Sequence, residues 1–99
     1  MKLSIIIPVF NEEGSLRELY QQITESIKMF KQYEIVFIDD GSYDESKLII
    51  QNMIEKDPRV KLIIFFRNFG KSAALSEGFK YASGDIIITM DADLQDDPN

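Results

Sequence analysis

Residues 3–9 read LSIIIPV, a stretch of apolar side chains that only Ser4 interrupts. The stretch is too short for an amphipathic helix, and its side chains do not alternate between apolar and polar. Near-continuous apolar runs of this length are typical of strands in parallel sheets, which helices cover on both faces. The stretch therefore predicts a central strand of an α/β fold.

The same kind of apolar run recurs along the chain. Further strands are predicted at EIVFI (34–38), VKLIIFF (60–66) and DIIITM (85–90). The connections between them are long enough for helical crossovers, and such connections join parallel strands. The sequence thus predicts a Rossmann-like, mostly parallel sheet in the order β-α-β-α-β-α-β, covered on both faces, in one domain over residues 1–99.

Helix signals fill the three connections. Residues 15–18 (SLRE) and 42–45 (SYDE) both match the capping box, in which a serine and a glutamate bond each other's backbone N–H groups. Asp57-Pro58 predicts the end of the second helix, and an alanine-rich third helix is predicted over residues 71–82. The first helix carries apolar residues at intervals of three and four, which indicates one stripe facing the sheet: Leu16, Leu19, Tyr20, Ile23, Ile27 and Phe30.

Composition excludes several classes of function. The net charge of −6 argues against a nucleic-acid partner, because binding phosphates requires a basic patch. The chain has no cysteine and no histidine, so any metal is expected to be held by oxygen, as Mg²⁺, Mn²⁺ or Ca²⁺ are. The apolar runs are shorter than the ~20 residues of a membrane helix, and no leader peptide is apparent, which predicts a cytoplasmic chain.

Polar loops follow each predicted strand. In sheets of this kind, ligands bind beyond the carboxyl ends of the strands, where the strand order reverses. The loops at that edge are residues 8–12 (PVFNE), 39–42 (DDGS), 67–71 (RNFGK) and 91–95 (DADLQ). These loops therefore contain the candidate functional residues.

The loop after the fourth strand is the strongest candidate for a metal site. In an extended chain Asp91, Asp93 and Gln95 lie on one side, whereas Ala92 and Leu94 lie on the other. Oxygen donors on one side can converge on a hard cation, and Mg²⁺ commonly uses one or two carboxylates together with substrate phosphates. The alternative is a solvated acidic turn. The spacing favours metal binding by Asp91, Asp93 and Gln95.

The other loops allow two interpretations each. Asp39 and Asp40 could accept hydrogen bonds from a ribose or a base, or they could form an ordinary Asp-Gly-Ser turn. Arg67 and Lys71 could neutralise a diphosphate bound beside the metal, or they could be solvated loop charges. The loop at 8–12 lacks the G-x-G-x-x-G of a dinucleotide-binding fold.

Taken together, these stretches resemble a known family. SIIIPVFNEE, FIDDGSYDES, RNFGKSAALSEGF and GDIIITMDADLQDDP are similar, in order and spacing, to the front part of the family-two glycosyltransferases with the glycosyltransferase A fold. The resemblance extends in particular to polyprenyl-phosphate sugar transferases, such as dolichol-phosphate mannose synthases. It covers essentially the whole chain.

The resemblance implies an inverting glycosyltransferase with a UDP- or GDP-sugar donor, Mg²⁺ or Mn²⁺, and a lipid-phosphate or saccharide acceptor. The metal would be held by Asp91, Asp93 and Gln95. Asp40 would contact the base, and Asp39 would support the turn. The nucleotide-binding residues implied are Pro8, Phe10, Asn11, Glu12, Asp39, Asp40, Asn68, Gly70, Lys71 and Asp91.

The resemblance also implies that residues 1–99 are the donor-binding part of a longer domain. The acceptor-binding part and the general base are expected beyond residue 99, so this part alone is expected to be inactive. The full-length protein is expected at the cytoplasmic face of a membrane. An exposed sheet edge makes a homo-oligomer possible.

Other classes of protein remain as alternatives. A non-catalytic nucleotide-binding module would bind the donor without transferring its sugar. A receiver-like phosphoacceptor domain is also a parallel α/β fold with clustered aspartates. Its acidic pair follows the first strand and its phosphorylated aspartate follows the third, where this chain has Pro8-Val9 and Arg67-Asn68. The base, the sugar and the acceptor are not predicted.

Overall fold

The computed structural model describes residues 1–93, and the predicted order of strands and helices is confirmed. The elements are β1 (Lys2–Val9), α1 (Leu16–Ile27), β2 (Gln32–Asp39), α2 (Ser46–Lys56), β3 (Val60–Ile64), α3 (Lys71–Tyr81) and β4 (Ile86–Thr89). The strands form a single parallel sheet in the order β3-β2-β1-β4. Since β2 and β3 lie on one side of β1 and β4 on the other, the winding reverses at β1. Within residues 1–93, no helix is long and apolar enough to cross a bilayer.

Successive side chains of β1 point to opposite faces of the sheet, and each face has its own hydrophobic core. Ile5 and Ile7 belong to the core formed with α1 and α2, whereas Ile6 belongs to the core formed with α3. On the α3 face, Gly78 lies so close to the sheet that an added Cβ would be 2.3 Å from Cγ2 of Ile6. This close approach explains why α3 contains a glycine in its interior.

The capping boxes predicted for the first two helices are not formed. The α1 helix begins where expected, but Ser15 makes no side-chain capping bond. The α2 helix begins at Ser46, so the capping box at 42–45 is wrong. The N–H groups that this box would use have other acceptors: that of Ser42 donates to Asp39 at 3.0 Å and that of Glu45 donates to Glu13 at 2.9 Å. The Asp44 carboxylate accepts the N–H of Ser46 at 2.9 Å, at the first residue of the helix. Asp57 ends α2 as predicted.

The fourth strand is less buried than its sequence indicates. Ile86, Ile87 and Ile88 keep 39–44% of their surface exposed. The reason is position, because β4 is the edge strand next to β1 in the sheet described here. An apolar run identifies a strand but does not identify its place in the sheet.

A buried polar network fixes β4 against β1 at the amino-terminal edge of the sheet. The Glu34 carboxylate is 3% exposed and accepts the hydroxyl of Ser4 at 2.7 Å and the N–H of Ser83 at 2.8 Å. The ammonium of Lys2 lies 3.7 Å away. Burial by itself raises the pKa of Glu34, but these hydrogen bonds and the Lys2 charge outweigh it, and the net pKa is lowered.

This network predicts how stability depends on pH. A carboxyl with a lowered pKa in the folded state contributes stability above its unfolded pKa, here 4.5, and loses it as the pH falls through the folded value. We expect Glu34→Gln to lower the free energy of unfolding by about 1–2 kcal/mol at neutral pH, because bonds to a charged acceptor become neutral ones. The difference from the wild type should shrink below pH 4.5. Urea unfolding at a series of pH values measures it, and a difference that is constant down to low pH would contradict the assignment.

Candidate functional site

The carboxyl ends of β1 and β4 border a cleft of about 300 Å³ at the point where the winding of the sheet reverses. Open α/β sheets bind ligands at this position. The cleft is lined by Pro8, Val9, Phe10, Glu12, Asp40, Lys71, Asp91, Ala92 and Asp93. Loops that are far apart in the sequence therefore meet in one concave surface that carries both signs of charge.

Lys71 and Asp91 form an ion pair across the cleft. The Lys71 ammonium donates to Oδ1 of Asp91 at 2.5 Å, and both side chains are largely exposed. Lys71 is the first residue of α3, so it stands at the helix end where the backbone dipole also favours an anion. The cleft thus places a cation beside a carboxylate, an arrangement suited to a diphosphate bound together with a metal ion.

The segment 91–93 presents its two carboxylates to the cleft while its centre is buried. Ala92 is 3% exposed and belongs to the core with Leu16, whereas Asp91 and Asp93 line the cleft. Carboxylate oxygens fit a hard divalent cation, so both residues are suitable ligands. Gln95 lies outside the described residues. No cluster of three acidic ligands is formed by the part of the chain up to Asp93.

Glu12 adds negative charge beside Asp93. Burial raises the pKa of Glu12, and the charge of Asp93 raises it further. Two carboxylates therefore share one side of the cleft. A cation bound there would reduce this repulsion.

Asp40 holds the loop that precedes α3. Its carboxylate is 4% exposed and accepts the N–H of Phe69 at 2.7 Å, the N–H of Gly70 at 3.0 Å and Nδ2 of Asn68 at 3.2 Å. Asn68 and Gly70 thus contact Asp40 instead of lining the cleft. The pair Asp40 and Gly70 fixes the backbone directly before Lys71.

Asp39 and Asn11, two further predicted nucleotide-binding residues, lie outside the cleft lining and accept hydrogen bonds from backbone N–H groups of the loop after β2. Asp39 is fully buried, and its Oδ2 accepts the N–H of Ser42 at 3.0 Å, as expected for a residue that supports the turn. Its Oδ1 is buried without a hydrogen-bond partner among residues 1–93. Asn11 has a φ of 53° and accepts the N–H of Tyr43 at 2.7 Å. The predicted residues that do line the cleft are Pro8, Phe10, Glu12, Asp40, Lys71, Asp91 and Asp93.

Serine hydroxyls that were not predicted to belong to the site connect its loops. Ser42 Oγ accepts the N–H of Asn11, and Ser46 Oγ accepts the N–H of Glu12, both at 2.9 Å. Ser15 Oγ donates to the carbonyl of Ala92 at 2.9 Å. These contacts depend on which strands are neighbours, so no local pattern indicates them.

Comparison with known proteins agrees with this geometry. The model of the family "Glycosyl transferase family 2" matches residues 4–99. The chain belongs to this family. Among the family-2 relatives, the undecaprenyl-phosphate 4-deoxy-4-formamido-L-arabinose transferase of Pseudomonas fluorescens is 47% identical over 98 residues, which cover 97% of this chain and 29% of that protein. The chain spans about 30% of the length of the curated relatives it matches.

Solved structures show the same fold. One is the S. aureus protein TarS (residues 1–349), determined in complex with UDP-GlcNAc. It matches with a TM-score of 0.83 and 26% identity, and the match covers 94% of this family-2 chain and 27% of the TarS chain. The mannosyltransferase of Pyrobaculum calidifontis, in complex with GDP-Man and Mn²⁺, has a TM-score of 0.83 and 27% identity over 92% of this chain and 27% of its own. The sheet described above is thus the front part of the glycosyltransferase A fold. Glycosyl transfer is the chemistry of the family.

Proposed function

We propose that this chain is the donor-binding part of an inverting glycosyltransferase that transfers a sugar from a nucleotide-diphosphate sugar to a polyprenyl phosphate. The observation that carries the proposal is the cleft at the sheet reversal, where Lys71 pairs with Asp91, and Asp93 also lines the surface. A cationic side chain and a metal ion can each neutralise the charge of a diphosphate, and this cleft has residues for both. The solved relatives that bind UDP-GlcNAc or GDP-Man with Mn²⁺ support the same class of donor.

Five residues of the cleft have a role in this proposal. Pro8 and Phe10 form an apolar wall for the nucleoside, and Lys71 pairs with the diphosphate. Asp91 and Asp93 hold Mg²⁺ or Mn²⁺, with Gln95 as a third proposed ligand. When bound, the cation stabilises the negative charge that develops on the leaving diphosphate.

The acceptor is proposed from the named relatives and from charge. A polyprenyl phosphate is already an anion, so it needs less help from a general base than a sugar hydroxyl does. The general base and the acceptor-binding part are proposed to lie outside this chain, which by itself would bind the donor without turnover. A lipid acceptor would bring the full-length protein to the cytoplasmic face of a membrane.

Thermal unfolding tests the donor site directly. We expect this chain to gain stability with UDP or with GDP, but not equally with both, and to need Mn²⁺ for the full effect. A ligand that binds only the folded state adds about 2.7 kcal/mol at one hundred times its dissociation constant. The measurement is the midpoint of unfolding with each nucleotide, with and without Mn²⁺.

A matched pair of variants distinguishes a site from a general charge effect. Asp93→Asn removes one negative charge from the cleft, and Glu55→Gln removes one from an exposed position of α2. The gain with nucleotide and Mn²⁺ should fall in Asp93→Asn and persist in Glu55→Gln. If neither nucleotide raises the midpoint, in this chain or in the full-length protein, the proposal is wrong.

A further inference from the structure

Ser15 occupies the capping position of α1 but does not act as a cap. The backbone carbonyl of Ser15 accepts the N–H of Leu19 at 2.9 Å, while its side chain makes no capping bond. Its hydroxyl instead donates to the carbonyl oxygen of Ala92 at 2.9 Å, across 77 positions of sequence. Two oxygens of Glu12 lie farther from the hydroxyl, at 3.3 and 3.4 Å. A hydroxyl has one hydrogen to donate, so the shortest contact, to Ala92, is the preferred one.

The residue that Ser15 contacts, Ala92, lies between Asp91 and Asp93, two of the carboxylates that line the cleft. Sheet pairing holds the chain after β4 as far as Met90, whose N–H donates to the carbonyl of Ile6 at 3.0 Å. Two residues later, Ser15 holds the carbonyl of Ala92, whose side chain is buried against the core that contains Leu16. The segment is thus fixed at its centre, from the side of α1.

We propose that Ser15 is a positioning residue that holds Asp91 and Asp93 in place for the metal ion, and this inference rests on the proposed function. Glu12, Asp91 and Asp93 all line one cleft, and the like charges of Glu12 and Asp93 favour their separation. A hydroxyl that fixes the backbone between Asp91 and Asp93 opposes that separation before the metal binds. Ligand sets that are held in place beforehand bind more tightly, because less ordering occurs on binding.

Mn²⁺ binding to the full-length protein tests the inference without any measurement of turnover. The free Mn²⁺ concentration is followed by electron paramagnetic resonance during a titration of the protein with the metal alone. We expect Ser15→Ala to weaken Mn²⁺ binding about tenfold, the lower range for residues that orient metal ligands. Ser15→Thr, which keeps the hydroxyl, should remain within about threefold of the wild type, on the same principle.

Ser26 provides a matched control on the same helix. Its hydroxyl also donates to a backbone carbonyl, that of Gln22 at 2.9 Å, but at an exposed position outside the cleft. Ser26→Ala should bind Mn²⁺ like the wild type. Ser15→Gly is a second variant without the hydroxyl, and glycine is tolerated at helix N-termini, so it replaces Ser15→Ala if that variant does not fold.

The possible results separate the inference from the proposed function. Wild-type Mn²⁺ affinity in folded Ser15→Ala or Ser15→Gly overturns the positioning role and leaves the metal site standing. A wild-type protein that binds no Mn²⁺ overturns both. Weaker binding in Ser15→Ala, with recovery in Ser15→Thr and no change in Ser26→Ala, supports the inference.

Discussion

Asp40→Ala is expected to lower the free energy of unfolding by about 3 kcal/mol or more and to weaken nucleotide binding at least tenfold. A hydrogen bond to a charged acceptor contributes about 1.5–3 kcal/mol, and the Asp40 carboxylate accepts three, from Asn68, Phe69 and Gly70. Water replaces part of the lost hydrogen bonding in the variant, because Asn68 and Phe69 are exposed. Binding should weaken because the loop held by Asp40 leads directly to Lys71 in the cleft.

Asp44→Ala is the control for this prediction. Asp44 also accepts two backbone N–H groups, from Ser46 at 2.9 Å and Glu13 at 3.1 Å, but it lies outside the cleft lining. It should lower stability less and leave nucleotide affinity near the wild-type value. Urea unfolding and nucleotide titration of both variants provide the comparison. Equal losses of affinity in the two variants would contradict a specific role for Asp40.

Gly41→Ala is expected to destabilise the fold by about 3 kcal/mol or more. Gly41 has a φ of 75°, a conformation that residues with a side chain adopt only at a cost of about 1–2 kcal/mol. An added Cβ would also lie 2.4 Å from the carbonyl carbon of Arg67 and 2.5 Å from the backbone nitrogen of Asn68. Backbone atoms cannot rotate away as side chains can, so the loop at 67–71 must move, at a further cost of about 1–3 kcal/mol.

Two other glycines separate the causes. Gly70 has a φ of 104° and a ψ of 158°, with open space around the Cβ position, so Gly70→Ala should show only the conformational cost, about 1–3 kcal/mol. Gly14 has open space and no unusual φ, so Gly14→Ala should change stability by less than about 1 kcal/mol. The three free energies of unfolding should rank Gly41→Ala as most destabilising. If Gly41→Ala loses no more stability than Gly70→Ala, the close contact with the backbone of Arg67 has no energetic cost.

Much of the fold could be predicted because its signals are local. Apolar runs and their spacing identified all four strands, and Asp57-Pro58 identified the end of α2. The capping box at 42–45 failed because the two N–H groups that it needs, those of Ser42 and Glu45, donate to the carboxylates of Asp39 and Glu13 instead. The exposure of β4 could not be predicted, because an edge strand and a central strand have the same apolar pattern.

The sequence predicted where in the fold the candidate site lies, but it did not predict the side-chain contacts within the site. Parallel strands place their following loops at one edge, so the sequence predicted which loops meet. It did not predict that Asp40 holds Asn68 and Gly70. The geometry of a carboxylate and its donors depends on the side-by-side packing of β2 and β3.

The sequence by itself determined the class of fold, the family resemblance and the acidic and cationic loops, because each depends on residues close together in the chain. Only the tertiary structure decided which polar side chains line the cleft and which support it. Ser15 and Ala92 are separated by 77 positions, and Asp40 and Gly70 by 30. Contacts over such distances form only when the order of the strands is set, so residues of identical chemistry, such as Asp39 and Asp40, receive different roles.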